Sequence, residues 1–168
     1  MKTDAIIHGD LASAATSIRR AEDAGFDGAV SVEISHDPFL PLAMGAASTG
    51  RIDLITGIAV AFARNPMNVA VLANDINRLS GGRFIVGLGS QIKPHITKRF
   101  SMPWSDPAAR MREFVLAMRA IWESWENGTP LEFRGEYYKH TLMTPMFSQG
   151  SSEVGNPRVF VAAVGPAM

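Results

Sequence analysis

Residues 51–90 read RIDLITGIAVAFARNPMNVAVLANDINRLSGGRFIVGLGS, and this stretch decides the fold. Ile52 to Val60 and Arg83 to Leu88 are short apolar runs with little polar alternation, the pattern of strands buried on both faces. Between them Val69, Leu72, Ala73, Ile76 and Leu79 recur at helical spacing, leaving Asn68, Asp75 and Arg78 for an outer face. Pro66 suits the first turn of a helix, and Ser80-Gly81-Gly82 supplies a stop able to reach positive φ. The spacing therefore predicts a βαβ unit with parallel strands and a right-handed crossover.

The same alternation extends to both sides. Lys2 to Ile7 predicts a strand ending at His8-Gly9, and Asp10 suits the cap of a helix over Leu11 to Ala24 with Leu11, Ala15 and Ile18 inward. Gly28 to Ile34 is a second strand; Asp37 and Pro38 then open a short helix that runs to Gly50. Beyond the central unit, residues 90–105 form a polar connection longer than most, which points to function or mobility. Asp106-Pro107 opens the strongest helix, with Met111, Phe114, Val115, Met118, Ile121, Trp122 and Trp125 on one apolar stripe and Asn127-Gly128 as its end. Leu131 to His140 suits a small hairpin turning near Arg134-Gly135, and Val159 to Val164 a last strand.

Composition narrows the function classes. The chain has 168 residues, 46% of them hydrophobic, enough for one sizeable core and a single expected domain over 1–168, with 129–157 as a loop or insertion region. Sixteen basic residues balance 16 acidic ones, which argues against nucleic acid or an anionic membrane as the main partner. With no cysteine, neither a disulfide framework nor a thiolate metal site is possible. No apolar run reaches the ~18 residues of a membrane span, and Met1 to Asp10 lacks a signal-peptide pattern, so a cytoplasmic location is expected.

Several stretches in order resemble one family: AEDAGFDG at 21–28, TGIAVAFARNP at 56–66, NRLSGGRF at 77–84, VGLGS at 86–90, SMPW at 101–104, FRGEYY at 133–138 and VFVAAVGP at 159–166. Together they are similar to the bacterial luciferase-like superfamily, in particular the branch that uses the deazaflavin coenzyme F-420. The resemblance covers nearly the whole chain. It implies an α/β fold of the parallel TIM-barrel type. Because a (β/α)8 barrel needs about 250 residues, it implies the first five strands of one.

What the resemblance implies about the site follows residue by residue. Gly57-Ile58 falls where the family places a non-proline cis peptide in a bulge of the third strand, which supports the cofactor ring; by itself, Gly57 also reads as relief of crowding in a barrel strand. Ala59, Gly87, Gly89, Ser90 and Gly165 are the other implied cofactor contacts, although Val164 stands where the family often has a serine. His36 aligns near the family's active-site histidine, where an imidazole gives or takes a proton beside the hydride-carrying carbon. Its surroundings, Glu33-Ile34-Ser35-His36-Asp37, depart from the usual acid-His-Phe, and His36 equally reads as a helix-entry residue beside the Asp37 cap. His8, Glu33, Phe62 and Trp104 are candidates for the substrate pocket. No third ligand has convincing spacing to His8 and His36, so a metal is not expected. Arg64, Lys93, His95, Lys98 and Arg99 suit either an anionic cofactor tail or a solvated surface.

The expected function is hydride transfer between F-420 and a small organic substrate. An FMN-dependent monooxygenase of the same fold, and a half-barrel that binds or assembles without catalysis, are the alternatives. The barrel-facing apolar residues and open strand edges of a half barrel predict a homo-oligomer or a separate C-terminal half as partner.

Overall fold

Every residue of Phe84–Gly89 is buried, and this strand, β5, is the axis of the sheet. The computed structural model describes residues 1–163. Its strands are β1 (Asp4–Ile6), β2 (Gly28–Ser31), β3 (Asp53–Thr56), β4 (Ala59–Val60), β5, β6 (Phe133–Arg134), β7 (Lys139–His140) and β8 (Arg158–Val161). The helices are α1 (Ala14–Asp23), α2 (Phe39–Ser48), α3 (Pro66–Leu79) and α4 (Pro107–Asn127). The main sheet runs β1-β2-β3-β5, with β4 and β8 also bonded to β5. Its registered pairs, β1 with β2, β2 with β3, β3 with β5 and β5 with β8, are all parallel. This is the fold class expected of the sequence, an α/β sheet of TIM-barrel type.

The chain divides into two compact units. Of the described residues, the first comprises Met1–Ala59, Ala73–Leu88 and Asn156–Val161; the second comprises Val60–Leu72, Gly89–Gly155 and residues 162–163. In the first, α1 buries Ala14, Ile18 and Ala21, and α2 buries Phe39, Leu42, Gly45 and Ala46. Gly45 is dictated by packing, because a Cβ there would stand 2.6 Å from Ile18 Cδ1. The N-terminal ends of the strands are fastened by charge. Arg83 donates to the carbonyls of Ile52 (2.8 Å), Thr49 (2.9 Å) and Ser80 (2.7 Å). Arg158 forks onto the Asp53 carboxylate at 2.7 and 3.2 Å. The Glu22 carboxylate accepts the backbone N–H groups of Arg51 (2.6 Å) and Ile52 (2.9 Å).

The second unit is built on α4, whose apolar stripe is buried as its spacing predicts. The Trp122 indole N–H donates to the Ala70 carbonyl at 3.0 Å, and Gly128, at φ 62°, ends the helix in the left-handed region. β6 and β7 form the expected antiparallel hairpin. Its turn is pinned by Glu113 of α4, which accepts the N–H groups of Glu136 (2.9 Å) and Tyr137 (2.8 Å). Among the described residues, no helix is long and apolar enough to cross a membrane.

Two helix faces differ from the sequence expectation. A 3-10 turn at Leu11–Ser13 precedes α1 and shifts its phase, so Leu11 is exposed and Ala14 and Ala21 face inward with Ile18. On α3, Leu79, the last residue of the helix, is exposed whereas Asn74 and Asn77 are buried.

Candidate functional site

In a parallel sheet every strand delivers the residues after its C-terminal end to one rim. At the rim of the first unit, Ile7, His8 and Gly9 follow β1, and Val32 to Asp37 follow Ser31 at the end of β2. Most of them, with Pro41 of α2, line a cavity of about 220 Å³. His8 and His36 lie 28 positions apart in sequence and share this hollow. Ser31 is buried beneath them, whereas His36 is exposed. Glu33, expected at the substrate pocket, is absent from the lining; β2 ends at Ser31 rather than at Ile34, and Glu33 lies in the segment that follows it.

Local capping explains how His36 is held. The Asp37 carboxylate accepts the N–H of Phe39 at 2.8 Å and of Leu40 at 3.3 Å, which starts α2 and fixes the preceding turn. After β1, Asp10 accepts the N–H of Ser13 at 2.9 Å. That bond, with the Ser13 hydroxyl, holds the Asp10 carboxyl below its ordinary range, and the charge of His36 pulls it slightly further. Asp10 was legible only as a helix cap; its place near His36 is a product of the tertiary fold.

The run from Ile52 to Val60 is not one strand. It breaks between β3 and β4 at Gly57-Ile58, whose peptide bond is cis, as the sequence resemblance led one to expect. Gly57 is exposed, and a Cβ on it would collide with Val30 Cγ1 of β2, so the crowding reading of this glycine also holds. Ala59 is fully buried. Gly87 is locked to β3. The Thr56 hydroxyl accepts its N–H and donates to its carbonyl, each at 2.8 Å, and a Cβ on Gly87 would strike the Thr56 backbone oxygen. The backbone of Gly87 is thereby engaged within the sheet, and Thr56 is a partner that sequence reading missed.

In the second unit Gly89 closes β5, and the Ser90 hydroxyl donates to the Gln91 carbonyl at 3.2 Å. Phe62 and Trp104, both expected at the substrate pocket, meet edge to face with centroids 5.8 Å apart. Phe62 is fully buried, so it supports Trp104 from below instead of facing an opening. Arg110 packs against Phe62. Its guanidinium stacks 4.3 Å from the Phe62 centroid, and its N–H groups donate to the Tyr138 hydroxyl (2.9 Å) and the Pro103 carbonyl (2.8 Å). Burial pushes the Tyr138 phenol above its ordinary range, against the opposing pull of Arg110. Arg110 belongs to the same helical phase as Phe114 and Met118, and that phase was the available signal for its burial. Gly165, the last of the expected cofactor contacts, lies outside the described residues. Among the described residues, no group of three or more His, Asp or Glu is placed to hold a metal ion.

Comparison with known proteins gives a consistent result. Residues 2–168 match the family model described as luciferase-like monooxygenase. An uncharacterized protein of Mycobacterium tuberculosis is 56% identical over 168 residues, spanning 100% of this chain and 49% of that protein. A putative coenzyme F-420-dependent oxidoreductase of the same organism is 32% identical over 139 residues, 82% of this chain and 38% of its own length. The oxygenating constituent of 3,6-diketocamphane monooxygenase from Pseudomonas putida, solved with FMN, shares the fold. Its TM-score is 0.76 at 18% identity, over 96% of this chain and 51% of that one. The chain thus spans about half the length, or less, of the curated relatives it matches.

Proposed function

This chain belongs to the luciferase-like monooxygenase family, and from that premise we propose that it carries the rim of an oxidoreductase that moves a hydride between coenzyme F-420 and a small organic substrate. The observation that carries this reading is the hollow at the strand ends, where two imidazoles stand beside small residues and exposed backbone. The rim offers imidazoles as proton-handling groups and leaves the redox step to a cofactor. A flat ring system suits a surface where Gly57 carries no side chain and Gly9 and His8 border the cavity.

When bound, the deazaflavin supplies or takes up the hydride. His36 then gives a proton to the substrate oxygen, or accepts one, at an imidazole nitrogen, so that hydride and proton together complete a two-electron change. The Asp37 cap holds the turn that presents this ring.

F-420 is preferred because the 32% identical relative bears that description in its name, whereas the FMN-bound neighbour shares fold at low identity. Titration of the protein with F-420 and, separately, with FMN is the test, read by absorbance and fluorescence. Saturable binding of F-420 is expected. Binding of FMN alone would move the assignment to a flavin monooxygenase, and binding of neither would leave a non-catalytic module.

A further inference from the structure

The C-terminal end of α4 and the loop after β7 form a second cavity, of about 530 Å³, wholly within the second unit. None of its lining residues is charged. We propose that it is a binding site for an uncharged amphiphile, a molecule with a hydroxyl-bearing head and a short hydrocarbon chain. Every residue involved lies outside the strand-end hollow, so this site is independent of the hydride-transfer reading.

Short-range bonds set the walls. The Ser124 hydroxyl donates to the Thr129 carbonyl at 2.6 Å, and the Thr129 N–H returns to the Ser124 carbonyl at 3.2 Å. This clasp, with Gly128 at φ 62°, ends the helix and leads the chain to Pro130, which lines the cavity. On the loop, Met143 is tied to α4, its sulfur accepting the Trp125 indole N–H at 3.3 Å. A 3-10 turn follows at Pro145–Phe147, in which the Phe147 N–H donates to the Thr144 carbonyl at 3.0 Å. The Ser148 hydroxyl then accepts the Gly150 N–H at 3.2 Å, and Gly150 takes φ 68°.

The lining identifies the ligand class. Ser124, Thr129, Thr144, Ser148 and Gln149 give the cavity hydroxyls and an amide. Among the described residues, the Thr129 and Thr144 hydroxyls make no hydrogen bond, so both can serve a ligand. An ionised head is disfavoured, because no lining residue neutralises it. The carbonyl end of α4, with no basic residue in its last turn, repels anions further. The apolar part of the ligand follows from the same loop. Met146 and Phe147 stand between the lining residues Pro145 and Ser148, and Leu142 precedes Met143. These three side chains are 85%, 69% and 75% exposed. Successive Cα atoms are about 3.8 Å apart, so all three start beside lining backbone. A hydrocarbon chain laid over them removes apolar surface from water on both partners.

The test compares three probes: octyl glucoside below its micellar concentration, methyl glucoside with the same head and no chain, and octanoate with an anionic head. Trp125 is buried and bonded to Met143, so its fluorescence reports occupancy. Octyl glucoside should give a saturable change, and the other two should bind at least about tenfold more weakly. Phe147→Ser should weaken octyl glucoside about 3–10-fold, and Thr144→Val about 2–5-fold, with thermal melting as a check on folding. Leu11→Ser, at an exposed apolar residue of the first unit, should leave its affinity unchanged. Trp125→Phe should remove the fluorescence change while calorimetry still detects binding. Equal binding of octanoate, or no saturable binding of octyl glucoside, would overturn the site. So would a fluorescence change that survives in Trp125→Phe, or an affinity indifferent to Phe147→Ser. A change that only tracks a loss of mass in light scattering would overturn it in favour of an interface between copies of this chain.

Discussion

At the scale of single residues, Gly57 and His36 carry the sharpest expectations. A methyl group on Gly57 meets the β-branched side chain of Val30, which has little freedom to move aside. Gly57→Ala should therefore destabilise the protein by about 1–3 kcal/mol, the usual range for overpacking. Val30→Ala combined with it should recover part of that loss, a positive coupling in a double-mutant cycle of denaturant melts. Additive losses would show that the contact with Val30 is not the cause. His36→Ala should lower turnover by ~10²-fold or more while F-420 affinity stays within about twofold, since a proton donor acts in the transition state. Unchanged turnover would remove His36 from the chemistry and leave it a helix-entry residue. Both positions were legible in sequence, one as a glycine in a strand and one as a histidine beside a cap. What each touches was not: Val30 is 27 positions from Gly57, and His8 is 28 from His36.

At the scale of elements, charge at the N-terminal ends of the strands fixes how α1 meets the segment that enters β3. The Glu22 carboxylate is opposed by partial burial, yet the N–H groups of Ile52, Arg51 and Gly50 outweigh that and hold its pKa below the ordinary 4.5. A folded-state pKa below the unfolded one means stability that is fully present above pH 4.5 and is lost as the pH falls through the folded value. Glu22→Gln should cost about 1–2 kcal/mol at pH 7, since the carboxylate is partly open to water and its hydrogen bonds fall toward the lower end for charged groups. The gap between wild type and variant should close as denaturant melts are repeated from pH 5 down to pH 3. A gap independent of pH would assign the stabilisation to shape rather than charge. Helix phase shows the limit of pattern reading at this scale. The turn at Leu11–Ser13 advances the chain at 3-10 pitch, and that local choice moves the buried face of α1.

At the scale of the whole molecule, the outer strands set the behaviour in solution. Among the described residues, β1 is registered only with β2, and β8 only with β5, so each leaves a row of backbone groups open on its far side. Ile6 and Phe160 on those strands are 55% and 53% exposed. Open edges template pairing with another chain, and wet apolar surface forfeits ~25 cal/mol per Å². Against a net stability of ~5–15 kcal/mol that loss matters, and this chain should self-associate at low micromolar concentration. Light scattering should give a mass above 18.1 kDa, and Ile6→Lys with Phe160→Lys should return the monomer. A wild-type monomer across the concentration range would show that the edges are protected.

The sequence by itself determined the order and type of the elements, since period, caps and breakers act within a few residues of one another. The buried character of β5, the apolar stripe of α4, the proline at the start of α3 and the hairpin at 133–140 were all local signals. The family motifs carried the strand break at Gly57 as well. Only the tertiary structure decided which side chains share a space. It set Asp10 near His36, gave Thr56 both backbone groups of Gly87, and packed Arg110 against Phe62. Each of these depends on strand register or helix phase over tens of residues, where one residue of slip turns a side chain to the opposite face.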